Sequence, residues 1–408
     1  MGAEKSMGSG SIDFPLAENQ SNLTPLISTL RSLQRRLIRH IEAGRTTDLA
    51  DAPMRHPASV YSDPARHELE RERLFLRLPL VACLSGDIPE AGDTALFEGA
   101  GRPIVVVRDA AGRANAFLNL CTHRGARPVT TEGRHDCFTC PFHGWTYGLD
   151  GALIGQPGKI GFEGLDTARM GLVRVPCAER HGLVFVRAQP DGEPIDVDAH
   201  LGAFGLVLAE IGLSGYRRVK SGIMQAAGNW KYVLETFGEG YHFASLHPTS
   251  LGQTHYSNVA VFDAFDRHHR VCFAPKAYKA LATRPEAEWP VPDSVVYNIF
   301  PNTAMLVGSP MQGHYFVQLF RIYPTAVDRT DTQFTLYAPP SQLEGPGRAM
   351  AEAGFDLARQ IIETEDFSVS GGAQRNFAQA PAGVHVVYGR NEPALQHLHR
   401  GLNAELAD

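Results

Sequence analysis

Hydrophobic and polar positions divide the chain into stretches of different texture. Leu30, Leu33, Leu37, Ile38 and Ile41 recur at helical spacing with arginine and glutamine between them, so Thr24–Glu42 is predicted as an amphipathic helix. Pro53 and Pro57 make the next stretch irregular, and an Asp-Pro start signal opens a second helix over about 64–75. Beyond it come short β-branched runs separated by Gly, Asp and Pro: Ile104–Val107, Ala116–Leu120, Gly171–Val175 and Leu183–Arg187. With no helix-length pattern between them, these runs predict a compact antiparallel β domain over 62–190.

The second half mixes the two periods. An acidic, Gly- and Pro-containing stretch over 191–198 reads as a linker. Helices are predicted over His200–Ile211 and Trp230–His247, strands over Val259–Phe262, Val295–Ile299, Phe316–Ile322 and Gln333–Tyr337, and a long helix over Gly347–Val369. Strands in succession flanked by helices make 191–408 an α+β domain with an antiparallel sheet, and the fold class as a whole α+β. Residues 25–61 are expected to pack on that second domain as a helical segment.

Composition narrows the function. The chain has 408 residues, 43% of them hydrophobic and 20% charged, which is ordinary for a globular protein and too long for one core. A net charge of −6 with no block of like charge gives no reason to expect nucleic acid or an anionic membrane as partner. The Gly/Ser-rich opening lacks an apolar targeting segment, so 1–24 reads as an added or disordered lead. Apolar runs such as Leu78–Cys83 fall far short of the roughly 20 residues a membrane span needs, and a soluble, cytoplasmic protein is expected. Neither a G-x-G-x-x-G after a strand nor a P-loop is present, so these routes to a dinucleotide or nucleoside triphosphate are missing.

Six cysteines are too few for a disulfide scaffold, but three of them fall between Cys121 and Cys140, beside His123, His135 and His143. Cys121-Thr-His123 and Cys140-Pro-Phe-His143 each pair a thiolate with an imidazole, sixteen residues apart. Such a set could hold one tetrahedral zinc. Zinc sites usually take cysteines as one close pair and histidines as another, however, whereas the mixed loops suit two irons, one bound by both cysteines and the other by both histidines.

CTHRGA over 121–126 with CPFHGWTYGLDG over 140–151 closely resembles the Rieske [2Fe–2S] domain of non-heme iron ring-hydroxylating oxygenases. Respiratory-type Rieske proteins carry an extra cysteine in each loop, where this chain has Ala126 and Phe142. The resemblance makes Cys121, His123, Cys140 and His143 the cluster ligands. Cys137 and His135 read as a spectator thiol and a surface loop histidine, while Arg124 and Arg127 are either structural or tune the cluster.

The stretch from Asn229 to Pro248 resembles the mononuclear iron motif of the same family. On spacing alone an H-x₄-H is weak, but the resemblance makes His242 and His247 iron ligands and Glu239 an acid bridging the two metal centres across a subunit interface. Many relatives have Asp at that place and a longer spacing before it. Glu occurs in a subset, several of which act on quaternary ammonium or alkylated amine substrates, which tilts the expectation toward monooxygenation. The third ligand is expected in Glu363-Thr-Glu365-Asp366, followed by Gln374: Asp366 first, with Glu365 as the alternative. The C-terminal GRNEPALQHLHR also fits, so the resemblance runs from Ser62 to Leu402.

The resemblance implies a Rieske β domain joined to a helix-grip-like catalytic domain holding mononuclear Fe(II). It further implies a homotrimer in which His143 of one subunit faces Glu239 and His242 of the next. Electrons from NAD(P)H would come through a separate reductase, with or without a ferredoxin. The expected activity is a terminal oxygenase that hydroxylates or oxidatively demethylates a small organic substrate, with ring cis-dihydroxylation as the alternative. The pocket is expected between His247 and about Tyr323 and on the face around Gln360–Asp366. From other classes, a pure Rieske electron carrier would not need the second motif, and a structural zinc protein would be colourless.

Overall fold

The computed structural model describes residues 20–190, 192–290, 294–311 and 314–407. Most of the expected lead therefore lies outside the described residues, and 20–24 belong to the first helix, Gln20–Glu42. Leu26, Leu30, Leu33, Leu37 and Ile38 are buried on one face of that helix, sharing a core with Val259, Tyr278 and Leu281 beyond residue 250. The helical period read from the sequence is thus the period of that contact.

All sheets are antiparallel. A five-stranded sheet runs in the order Arg174–Val175, Ala114–Leu118, Ile104–Arg108, Asp93–Phe97, Gly133–Arg134. Leu80–Leu84, Leu183–Val186 and Cys177–Arg180 form a second sheet, and Phe138–Thr139, Thr146–Tyr147 and Leu153–Gly155 a third. The later part of the chain is built on a seven-stranded sheet, ordered Arg217–Ala226, Arg329–Ala338, His314–Ala326, Thr303–Met311, Ser294–Ile299, His268–Pro275, His255–Phe265.

Four predicted helices depart from regular α geometry, the one over 64–75 being α-helical over Pro64–Glu70 and a π-turn over Arg71–Leu76. The stretch over 200–211 breaks at Gly202 into Val197–Leu201 and Phe204–Ile211, and the first piece begins inside the expected linker because Asp196 caps it by accepting from the Ala199 amide at 2.9 Å. Trp230–His247 divides into Trp230–Glu235 and the single turn Phe243–Leu246. Gly347–Val369 is helical to Ile361, widens into a π-turn over Ile362–Asp366, and resumes over Phe367–Phe377. Gly171–Val175 shrinks to Arg174–Val175, whereas Arg217–Ala226, His268–Pro275 and Thr303–Met311 are strands the sequence pattern did not reveal.

Helix Trp230–Glu235 is anchored at both ends in the interior. Fully buried Glu70 accepts from Trp230 Nε1 at 2.9 Å and Lys231 Nζ at 2.7 Å, and Glu235 accepts from Tyr61 Oη and His399 Nε2, both at 2.7 Å. Gln374 joins this helix to Phe367–Phe377, accepting from the Asn229 amide at 3.0 Å and donating to the Tyr61 carbonyl at 3.0 Å. No helix among the described residues is long and apolar enough to cross a membrane.

Candidate metal centres

The two Cys/His loops are copies of one backbone design. The Cys121 amide donates to the Ala126 carbonyl and the Gly125 amide to the Cys121 carbonyl, at 2.8 and 2.9 Å. In the other loop Cys140 donates to Trp145 and Gly144 to Cys140, at 2.8 and 3.0 Å. Gly125 and Gly144 take φ of 79° and 71°, the left-handed turn that brings each chain back on itself at little cost only for glycine. Both thiols are buried, and the His123 and His143 rings lie 4.6 Å apart, His123 stacked on Trp145 at 4.9 Å.

Nδ1 of His123 is buried with no hydrogen-bond partner among the described residues. A bare imidazole nitrogen beside two buried thiols is the donor set a metal cluster satisfies. Among the described residues, the one set of three His, Cys, Asp or Glu donors within 4.8 Å of one another is His242, His247 and Asp366. One buried thiol and one imidazole from each loop fit a two-iron cluster.

Tyr147, which the sequence reading left without a role, places its hydroxyl 3.0 Å from Cys121 Sγ and accepts from the Thr122 amide at 3.1 Å. Burial, with the Cys121 sulfur beside it, pushes Tyr147 up to about 12, so it stays a donor. Its signal was its place in H-G-W-T-Y, two residues beyond a buried Trp. Desolvation, with His123 and Arg124 nearby, lowers His143 below the ordinary imidazole value. Arg127 pairs with Glu98 at 2.7 Å and Arg124 lies over the exposed Phe142 ring at 4.9 Å. His135 hydrogen-bonds within its own loop to the Thr131 carbonyl at 3.1 Å.

The second centre is made by the break after Glu235. A Cβ on Gly238 would meet Leu395 at 2.7 Å and one on Gly240 would meet Phe273 at 2.9 Å, so this tight passage requires small residues. The passage places His242 and His247 at either end of the turn Phe243–Leu246, their rings 5.0 Å apart. Asp366 Oδ1 lies 3.7 Å from His242 Nε2 and 3.4 Å from His247 Nε2.

Each histidine has a second carboxylate behind it. Glu239 Oε1 takes His242 Nδ1, while its other oxygen accepts from the Tyr241 and His242 amides. Glu365 Oε2 takes His247 Nδ1 at 2.5 Å and accepts from Ser250 Oγ at 2.9 Å. Although burial works the other way, Asp366 and Glu365 raise His247 above the ordinary imidazole value. Asp366, not Glu365, therefore converges with both Nε2 atoms. The π-turn lets these consecutive residues address opposite edges of one ring. Glu363 pairs with Arg359 at 3.1 Å. Within one chain, Glu239 and His143 share no hydrogen bond among the described residues.

Residues 79–164 match the Rieske [2Fe-2S] domain family, and residues 213–408 match the ring hydroxylating alpha subunit (catalytic domain) family. The glycine betaine monooxygenase oxygenase subunit of Chromohalobacter salexigens is 32% identical over 235 residues, 57% of this chain and 50% of that protein. The anthranilate 1,2-dioxygenase large subunit of Acinetobacter baylyi is 32% identical over 206 residues, 48% of this chain and 43% of that protein. The chain spans about half the length of the curated relatives it matches. Its fold is that of the quaternary ammonium Rieske monooxygenase CntA in complex with L-carnitine, at a TM-score of 0.73 and 18% identity, covering 88% of this chain and 97% of that one. Naphthalene 1,2-dioxygenase from Rhodococcus sp. gives a TM-score of 0.69 at 19% identity over 93% and 99% of the two chains. Two Cys/His loops of one design, followed by a convergent two-histidine, one-carboxylate set and matched by both family profiles, show that this chain belongs to the Rieske non-heme iron oxygenases, as an alpha-subunit chain.

Proposed function

We propose that the chain is the terminal oxygenase component of a multicomponent system that hydroxylates or oxidatively demethylates a small organic substrate. In this reading Cys121, His123, Cys140 and His143 hold the [2Fe–2S] cluster, and His242, His247 and Asp366 hold the mononuclear iron. Residues 62–190 form the electron-receiving domain and 191–408 the oxygenating domain, with 25–61 packed on the latter. When bound, the cluster supplies one-electron transfer and an Fe(II) with open coordination positions supplies O₂ activation.

The protein's own contribution is to fix protons and orientation. Glu239 and Glu365 accept from the Nδ1–H of His242 and His247, which leaves both Nε2 lone pairs directed toward Asp366. Tyr147 sets its hydroxyl against Cys121 Sγ, and Thr122 steadies that hydroxyl by donating its amide to it while its own Oγ1 donates to the Met170 carbonyl. Without a dinucleotide fingerprint, the chain takes NAD(P)H-derived electrons from a separate reductase, directly or through a ferredoxin. It works in the cytoplasm, where that nucleotide is found, as a homotrimer in which Glu239 meets His143 of the neighbour.

The observation that carries the reading is the convergence of His242, His247 and Asp366 in a chain that also holds the buried Cys/His quartet. Neither a pure electron carrier nor a structural zinc site in the Cys/His loops has a use for the first. Purified protein is expected to hold about three irons and two acid-labile sulfides per chain. Stoichiometric zinc without sulfide overturns the reading. With a surrogate reductase and labelled O₂, one labelled oxygen atom is expected in the product. A cis-diol carrying both labelled atoms would instead establish ring dihydroxylation, the second reading, which the anthranilate dioxygenase relative supports.

A further inference from the structure

Behind the loop that carries Glu239 lies a narrow interior cavity. Leu234, Phe237, Val296 and Leu398 form apolar walls, and His269 and Asn298 are polar residues in its lining. Gly238, part of the passage that leads to His242, lines the cavity beside Phe237, so the two share a wall. His269 and Asn298 are directly opposite one another on neighbouring antiparallel strands. Both are nearly fully buried, at 3% and 5% exposure, yet His269 Nδ1 and Asn298 Oδ1 have no hydrogen-bond partner among the described residues. Buried polar atoms are rarely left so, and two of them lining one cavity make a prepared binding surface.

Resting on the oxygenase reading, we infer that His269 and Asn298 form the polar end of the substrate site and select a neutral substrate bearing an O–H or N–H group over a quaternary ammonium cation. The amide oxygen of Asn298 can only accept a hydrogen bond, so the group that meets it must donate. His269 is neutral, because burial with His397 and His268 close by holds it well below the ordinary imidazole value, and its Nδ1 serves as donor or acceptor by tautomer. A hydroxyl satisfies both atoms at once, donating to Asn298 Oδ1 and accepting from His269 Nδ1–H, and an NH₂ group does so by donating one hydrogen to each. A quaternary ammonium group has no hydrogen to give and is recognised by aromatic faces. Among the described residues, Phe237 is the one Phe, Tyr or Trp in the lining, and no carboxylate stands in it. The cavity is narrow, with room for roughly one water-sized group, which suits the polar head of a substrate.

The test is equilibrium binding of phenol, its methyl ether anisole, and glycine betaine to the full-length holoprotein, by calorimetry. Phenol is expected to bind about tenfold more tightly than anisole, the cost of leaving the polar pair unmet, with glycine betaine weaker than either. Asn298→Leu and His269→Phe should each shrink the phenol preference to about twofold or less while the cluster's visible spectrum and the melting temperature hold. The unmodified protein gives the phenol-to-anisole ratio even if a variant fails to fold. Equal binding of phenol and anisole, no phenol binding, tighter binding of glycine betaine, or a preference that survives both substitutions overturns the inference. Turnover with labelled O₂ is scored separately. Donor-selective binding without oxygenation removes the oxygenase reading and leaves the cavity assignment intact; oxygenation without donor selectivity does the reverse.

Discussion

Removing Glu365 separates a ligand from the group that holds a ligand in place. His247 is 1% exposed and its Nδ1 is 2.5 Å from Glu365 Oε2, which Ser250 Oγ also reaches at 2.9 Å. A hydrogen bond to a charged partner contributes about 1.5–3 kcal/mol, and each 1.4 kcal/mol is a factor of about ten. Glu365→Ala should therefore weaken Fe(II) binding by roughly 10–100-fold, the range typical of an outer carboxylate on a metal-bound histidine. Because the Glu365 side chain is 24% exposed, the lower half of that range is expected. Glu365→Gln keeps an acceptor for Nδ1–H without the charge and should fall between the variant and the native protein. Asp366→Ala removes the oxygen that faces both Nε2 atoms and should abolish mononuclear iron binding while the cluster's visible absorption remains. Chelator-competition titration of Fe(II) measures all three. Glu365→Ala binding iron within about threefold of native, or losing it as completely as Asp366→Ala, refutes the assignment of separate roles.

Glu239→Gln should retain both metal centres yet stall turnover; near-normal turnover with labelled O₂ would remove its bridging role. Tyr147→Phe deletes the hydroxyl beside Cys121 Sγ and should lower the cluster's reduction potential, since donors to sulfur favour the reduced form; an unchanged potential in a redox titration contradicts this. Gly240→Ala forces a Cβ to within 2.9 Å of Phe273 and should cost about 1–3 kcal/mol, read as a drop in melting temperature with weaker iron retention. Acid should destabilise the fold through buried neutral histidines. His268 donates from Nε2 to the His200 carbonyl and accepts at Nδ1 from the Phe300 amide, and burial lowers it to about 4 and His200 to about 3. The unfolded chain binds these protons near pH 6.5 and the folded one does not, so stability is full above 6.5 and falls as pH drops toward 4. His200→Phe should flatten the melting-temperature profile in that window, and a profile as steep as native would count against it.

The metal chemistry was legible because it is written in side chains close together in sequence. Cys121, His123, Cys140 and His143 name their chemistry in two short loops, and the family resemblance supplied what an H-x₄-H could not. Elements were legible where the apolar pattern is strong: the helix read as Thr24–Glu42 is Gln20–Glu42, and the run Leu183–Arg187 holds the fully buried strand Leu183–Val186. Strand Arg217–Ala226 escaped notice because it carries Arg217, Arg218 and Lys220, with mostly half-exposed positions on both faces. His268–Pro275 opens with two histidines whose burial no polarity scale anticipates. Thr303–Met311 follows the Phe300-Pro301-Asn302 corner, where a Pro suggests an end rather than the bend between paired strands.

What sequence periodicity could not reveal is where a helix is made to fail. Trp230–His247 and Gly347–Val369 both read as continuous helices, and in each the departure from regular geometry makes the iron site. An unbroken helix through 230–247 would turn His242 and His247 about 140° apart, since five residues exceed one turn by that much at 3.6 residues per turn. Gly238 and Gly240 relieve that mismatch because Leu395 and Phe273 press where a Cβ would sit, forcing a new start at Phe243. In the second helix an ordinary turn would separate Glu365 from Asp366 by about 100°, sending one carboxylate away from His247. The π-turn over Ile362–Asp366 brings both to that ring, one to each nitrogen. The backbone price of two irregular turns is offset by buried anchors on either side: Glu70 and Glu235 holding Trp230–Glu235, and Gln374 tying it to Phe367–Phe377. Ligand identity is therefore local and readable, whereas ligand convergence depends on packing partners distant in sequence, most of them more than a hundred residues away.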